Sequence, residues 1–566
     1  MAQHVRIPPR CAICDSLFEP KDHFYIFVAR SPNSAAATRF SGHGEFRYPD
    51  SAYFEGNKDS ESEPWFCCHP MCRQCPESAE SSALHADCLR LFLGLSHDFG
   101  VGLRQLWVAM SWKNPWKGAP TCDLAPLIDI RIIGEIPGLS QWKSLPLEIS
   151  TMIRARSSSR SLWYCSILSL RAQLSDSKNL IRQSIHLTKI NSWNRGESPD
   201  LRDRVENAYF RLVFDSRGLR CIQALSERPL GSNSSSEYFG YILEPAERFS
   251  NVVVDFALGL AQMRAPGGYH IWDTPCPPSL DSTHNVLTLP PSGQLGTVHI
   301  GRCFGITFFL APDGSILAIH THTPSRPTAH RTLLGFSTKH QTSVAWVYIP
   351  IEGELQEFSF SQLPSRAGSA ARLQCLVLGL EHVGKVFVGP YRIKPTRFTQ
   401  IKRPLTLIYR KREVLPITFV GGYSPEYGVR SIKAPLHNPT PPPSLRKPHF
   451  SSAPLAGACK IRIFFIPGTE FCRGIMIHYD TGRRALGQCR LGADSIEDHT
   501  LLSSFCFLNT TYQRADEGRT LHAVRVGIFD QYHQHQEVGW TCCTTAETLN
   551  FWFTIDEAVL EHCIDE

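Results

Sequence analysis

Beyond "INSWNRGESPD" the chain keeps returning to one pattern, short alternating apolar runs broken by Gly, Pro, Asn and Asp: "VLTLPPSGQLGTVHIGRCFGITFFLAPDGSILAIHTHT", "TSVAWVYIPIEGELQEFSF", "LQCLVLGLEHVGKVFVGPYRI", "ACKIRIFFIPG" and "RGIMIHYDTGRRALGQCRLG". A period of two sends alternate side chains to opposite faces, and the turn residues reverse the chain before a helix can form. Antiparallel strands and hairpins are therefore expected through most of 200–566. Asp313 and Gly314 sit between two apolar runs, and Asp480 to Gly482 do the same, which is hairpin-turn chemistry. The two hairpins begin alike, "RCFGITFF" and "FCRGIMIHY". A sandwich-like region follows, divisible into two lobes at the proline-rich 436–450. Proline cannot donate to a ladder, so that piece is expected to be an exposed extended loop.

Seven of the 20 cysteines lie in the first 88 residues. Cys11 and Cys14 have the two-residue spacing that lets a tight turn aim two thiolates at one tetrahedral ion. His85 and Cys88 in "SSALHADCLRLFLGL" repeat that spacing where Ser81 or Ser82 can cap a helix carrying Leu89, Leu91, Phe92 and Leu95. A turn giving one pair and a helical first turn giving the other resembles a treble-clef zinc site. Cys72 and Cys75, with Cys68 close by, are alternative ligands or a second site. The intervening "PDSAYFEGNKDSESEPW" is acidic and turn-rich, so a small module at 1–100 would draw folding free energy from structural zinc.

At 566 residues the chain exceeds one hydrophobic core, and with 42% apolar residues it can bury several. Its 58 basic and 52 acidic residues leave a net charge of only +6, so nucleic acid is not expected as a partner. The start "MAQHVRIPPRC" lacks a signal peptide's apolar run. In the most membrane-like stretch, "NVVVDFALGLAQM", Asp255 interrupts. A soluble protein of the cytoplasm or nucleus, without a membrane partner, is expected.

In "SLPLEISTMIRARSSSRSLWYCSIL", Pro146 suits a helix's first turn and Ser144 its cap. Leu145, Ile149, Met152 and Ile153 share one face. "LPLEISTMI" resembles the opening of an F-box, where Leu-Pro-x-Glu-hydrophobic precedes further apolar positions and a second helix. The match covers roughly 40 residues within a helical segment at 140–195. The Arg and Ser run at 154–161 departs from the family's leucine-bearing connection. The resemblance implies docking on a Skp-family adaptor of a cullin-RING ubiquitin ligase, with Leu145, Pro146, Leu147, Ile149, Met152 and Ile153 as contact or core positions, while the β region recruits an unknown substrate protein. With the Cys/His start, "FSSAPL" and "CRGIMIHYDTGRRALGQCRLG", the whole resembles filamentous-fungal F-box-like proteins, a group whose biochemical role the resemblance does not supply.

No phosphate loop, nucleophile elbow or HExxH is present. His320 and His322 share a strand face without a carboxylate motif beside them, and His533 and His535 in "HQHQ" read as equally ordinary. The expectation is an α+β multidomain, non-enzymatic adaptor. The alternative is a ligand-binding or scaffold protein in which the F-box-like helices only brace the structure.

Overall fold

In a computed structural model the described residues fall mainly in the spans 4–29, 38–45, 65–67, 80–116, 182–201, 208–278, 293–363, 373–433, 440–500 and 504–564, with short gaps inside them and isolated positions such as 119, 124, 145 and 149 outside them. The protein is mostly β, with several separate sheets and few helices. Two compact units are present: Met1–Pro277 with Pro290–Leu295, and Pro278–Leu289 with Gly296–Glu566. Among the described residues no helix is long and apolar enough to cross a membrane.

In the first unit an antiparallel sheet places His23–Ala29 between Thr38–Glu45 and Ser81–His85. Helices Ala86–Gly94 and Phe99–Ser111 follow. Phe24, Phe27, Phe92, Leu106, Trp107 and Met110 bury in one core, which also takes in Leu258 and Leu260. The amino-terminal region therefore has an apolar core of its own, which the acidic linker had hidden. The second helix, "FGVGLRQLWVAMS", supplies much of it.

Leu258 and Gly259 form the tip of the hairpin joining Val253–Ala257 to Leu260–Arg264. Both take left-handed backbone, with φ of 55° and 67°. For leucine that conformation costs roughly 1–2 kcal/mol, whereas burying its side chain recovers about 1.5–3 kcal/mol. Packing wins, and Leu258 is 4% exposed. Asp255, which interrupts the apolar run, is buried in the same hairpin. It accepts hydrogen bonds from Arg182 (2.5 Å), Arg264 (2.9 Å) and Ser184 (2.6 Å). These contacts, working against burial, hold its carboxyl below the usual range.

A second core in this unit, with Trp193, Phe210, Phe214, Phe249 and Ile271, lies on the sheet that runs Ile190–Asn194, Gly218–Leu225, Tyr209–Asp215 and Gly240–Pro245.

In the second unit, hairpins form at both expected turns. Gly305–Leu310 pairs with Ile316–His322, and Cys472–Tyr479 with Gly482–Gly487. At the first turn the Asp313 carboxylate accepts from Ser315 N–H (2.9 Å) and Gly314 has φ of 87°. Gly305–Leu310, Ala345–Pro350 and Glu547–Phe553 are buried at every position. That explains why the first two read as nearly continuous apolar runs, while the third also buries Glu547, Thr548 and Asn550. Ser504–Gln513 is buried at Phe505 to Phe507 and alternates toward its exposed end.

The proline-rich piece is less exposed than expected. Leu445 is fully buried against Trp552, and His449 already opens the strand His449–Pro454. One buried leucine among the prolines anchors the segment. The outer strand Ser495–Thr500 carries Asp498, bridged to Lys460 (2.8 Å) and Arg462 (2.6 Å) on its neighbour.

Candidate metal centre

The CAIC turn is a tight knuckle. Asp15 N–H donates to the Cys11 carbonyl (3.0 Å), and Cys11 N–H to that of Ser16 (2.9 Å). Asp15 completes the turn with φ of 62°, its carboxylate on Lys113 (2.7 Å). Ala12 N–H donates to the Ala83 carbonyl (2.8 Å), which hangs the knuckle on the strand Ser81–His85. That strand runs directly into the helix Ala86–Gly94, so His85 ends a strand and Cys88 lies in a helical first turn.

Cys11, Cys14, His85 and Cys88 meet, with their ligand atoms all within 4.8 Å of one another. His85 Nδ1 is 3.4 Å from Cys14 Sγ and 3.8 Å from Cys88 Sγ. Zinc bonds of about 2.3 Å to sulfur and 2.0–2.1 Å to nitrogen give tetrahedral edges of roughly 3.5–3.8 Å, so the spacing matches a four-coordinate ion. The three thiols are 0–4% exposed. On its far side the His85 ring meets the Asp22 carboxylate, Nε2 to Oδ2 3.2 Å. Asp22 therefore fixes the proton on Nε2 and leaves Nδ1 as the free donor facing the sulfurs. Phe18 packs edge-on against the ring, centroids 4.7 Å apart.

Charge supports a cation here. Hydrogen bonds from Cys11 and then Cys88 hold the Cys14 thiol far below its ordinary range, while its contacts with Cys11 and Cys14, together with burial, push Cys88 far up. Burial opposes a charged His85, but the adjoining Cys11 and Cys14 raise it to about 10. A divalent ion bound here would supply that positive charge as the thiols give up their protons.

Of the other residues singled out from the sequence, Cys68, Cys72 and Cys75 lie outside the described residues, as do Pro146, Leu147, Met152 and Ile153. Leu145 is half-buried and Ile149 is 41% exposed. Ser144 Oγ donates to the Gln141 carbonyl (2.8 Å).

His320 and His322 are buried and fully engaged. His322 bridges Thr307 Oγ1 (2.7 Å) and the Pro327 carbonyl (2.8 Å), and His320 bridges Thr332 Oγ1 (2.8 Å) and the Arg326 carbonyl (3.2 Å). Burial lowers both pKa values, so the rings pin the 323–332 segment as neutral imidazoles.

The reading of HQHQ as ordinary is corrected by the structure, because His533 and His535 converge with Cys506 and Cys542. The available signal was "HQHQ" followed closely by "TCC". Cys506 joins them only through strand pairing.

The chain matches no protein-family model and no curated protein.

Proposed function

We propose that the chain is a zinc-stapled, non-enzymatic protein-binding adaptor. In this reading Cys11, Cys14, His85 and Cys88 hold one structural zinc. Four protein donors complete a tetrahedron, so the ion serves the fold rather than activating water. Support for zinc comes from three thiols and one imidazole, a donor set that suits borderline-soft ions over calcium or magnesium. The β-rich region 200–566 is the target-binding part, with its sheets stacked in a sandwich-like way. Supporting that arrangement, Phe308, Phe358, Phe419, Ile461 and Phe551 come from different sheets into one core. A cytoplasmic or nuclear site is part of this reading, because thiol ligands persist in compartments where disulfides do not form.

The observation that carries the adaptor reading is Ile149. Its large aliphatic side chain is 41% exposed at the position where "LPLEISTMI" resembles an F-box, and it is that coincidence with the motif, not exposure by itself, that supports a partner contact. Leu145, four residues earlier, is half-buried. The Skp-family adaptor of a cullin-RING ubiquitin ligase is the proposed partner, and the substrate it would bring is a protein bound by the β region.

A pull-down with purified Skp-family adaptor tests this. Wild type is expected to capture at least tenfold more adaptor than a Leu145→Asp, Ile149→Asp double variant of unchanged circular dichroism. Equal capture by the two overturns the ligase reading and leaves the scaffold alternative.

A further inference from the structure

We propose that Cys506, His533, His535 and Cys542 form a second, closed Cys2His2 zinc site in the unit that carries the carboxy-terminal strands. The site is independent of the amino-terminal Cys/His group and of the adaptor reading.

Strand pairing builds half of it. Ser504–Gln513 runs antiparallel to Thr541–Cys543 with Cys506 directly opposite Cys542, so both thiols leave the same face of the sheet. The chain after the strand Thr520–Phe529 supplies the other half. His533 Nε2 lies 3.2 Å from Cys506 Sγ, 3.3 Å from Cys542 Sγ and 3.0 Å from His535 Nε2, and His535 Nε2 lies 3.2 Å from Cys542 Sγ.

Hydrogen bonding does not account for this convergence. An imidazole Nε2 carries at most one hydrogen along one direction, so it can serve only one of three neighbours at near-equal distance. Two imidazole nitrogens aimed at each other and at two sulfurs share a centre instead. Zinc–ligand bonds of about 2.0–2.3 Å give nitrogen–nitrogen and nitrogen–sulfur edges of roughly 3.3–3.6 Å, a few tenths of an ångström beyond the observed separations.

The rings are held in place from outside. Phe529 stacks on His533 (5.0 Å, 19°) and Trp540 on His535 (4.7 Å, 4°), while Phe529 and Trp540 meet edge-on at 5.8 Å. Arg525 sits over the Trp540 ring at 5.8 Å and bonds Glu537 at 2.6 Å. An aromatic box that sets both imidazole planes is what a metal site needs from its surroundings.

Two thiolates and two imidazoles favour zinc over oxygen-loving calcium or magnesium. Binding releases one proton from each thiol to solvent, and no oxidant or reductant is involved. The four ligands close the coordination sphere, so the ion's work is to tie the stretch 533–542 to the sheet. Gln534, Gln536, Glu537 and Gly539 are exposed and Val538 is 100% exposed, so burial does little to order that stretch.

The full-length chain, purified with zinc and without chelators, provides the test. Elemental analysis is expected to give two zinc equivalents in wild type and one in Cys506→Ser, His535→Gln. A Cys14→Ser, Cys88→Ser variant is expected to lose the other equivalent and keep this one. An unchanged zinc content in the Cys506→Ser, His535→Gln variant overturns the proposal. A second measurement needs no variant: a glutamyl endopeptidase is expected to cut wild type at Glu537 at least tenfold faster after chelation. Equal rates with and without chelator overturn it as well. A wild type holding one equivalent, lost in Cys506→Ser, His535→Gln and kept in Cys14→Ser, Cys88→Ser, refutes only the amino-terminal zinc reading.

Discussion

The two Cys/His groups gather the same kinds of ligand by opposite means. In the first unit, partners 71 residues apart in sequence are delivered by a knuckle and a strand-to-helix junction, inside a core containing Phe24, Phe27, Phe92 and Trp107. In the second unit two cysteines face each other across a pair of strands, one fully buried and one exposed, and two histidines arrive from a polar stretch. The difference is in what orients the ligands. Packing aims the first set before any ion arrives, whereas the second set depends on one ladder and an aromatic box. Removing an ion from the first leaves buried thiols and an imidazole around an unmatched centre, a penalty felt by the whole core. Removing one from the second releases a surface stretch.

Four measurements can break or sharpen that contrast. The largest effect is expected from Cys14→Ser, which should lower the stability of the first unit by more than about 4 kcal/mol, the range reached when a structural metal is lost. Denaturant unfolding with and without chelator checks this, and a variant as stable as wild type would place both groups in the same dispensable class.

Acid comes next, acting on the second unit through His449. Full burial lowers the pKa of His449 to about 4, against the smaller opposing influences of the Gly389 backbone and Asp313. A depressed imidazole keeps its stabilising effect above the unfolded value of about 6.5, and that effect is lost as pH falls from there through about 4. The span corresponds to about 3 kcal/mol. Unfolding of wild type beside His449→Leu, from pH 7 to pH 4, should show a shallower decline in the variant. Parallel curves would remove His449 from the account.

Asp22→Asn is expected to weaken zinc binding at the first group by about 10–100-fold, because the amide no longer fixes the His85 proton on Nε2. Competition with a chromophoric chelator reads this directly. An unchanged affinity would mean that packing against Phe18 alone orients the ring.

The smallest effect belongs to Cys542→Ser. The global unfolding midpoint should move by less than about 1 kcal/mol while amide exchange over 533–540 rises sharply. A global loss as large as that of Cys14→Ser would erase the distinction between the groups.

Local chemistry was the legible part of the sequence. Cys11 with Cys14 and His85 with Cys88 each announce themselves by spacing, and the hairpins at Asp313–Gly314 and Asp480–Gly482 by their turn residues. What escaped depends on contacts between distant segments. Cys506 meets Cys542 only through strand register, a relation with no local period, so His533 and His535 looked unaccompanied. The helix "FGVGLRQLWVAMS" forms despite its two glycines because tertiary packing overrides their low propensity. Leu445 looked like part of an exposed proline-rich loop because its anchor, Trp552, lies a hundred residues away. The F-box-like positions Pro146, Leu147, Met152 and Ile153 lie outside the described residues, and the docking reading there rests on Ile149 and the motif.

Cys542 and Cys543 are adjacent on a strand of only three residues, Thr541–Cys543. Neighbouring side chains on a strand point to opposite faces, so a slip of one residue against Ser504–Gln513 would turn Cys542 away and present Cys543 in its place. So short a ladder specifies its own alignment weakly. An ion bound by Cys506, Cys542 and the two histidines would act as a proofreader of strand alignment, holding the carboxy-terminal strands in the pairing that completes the sheet.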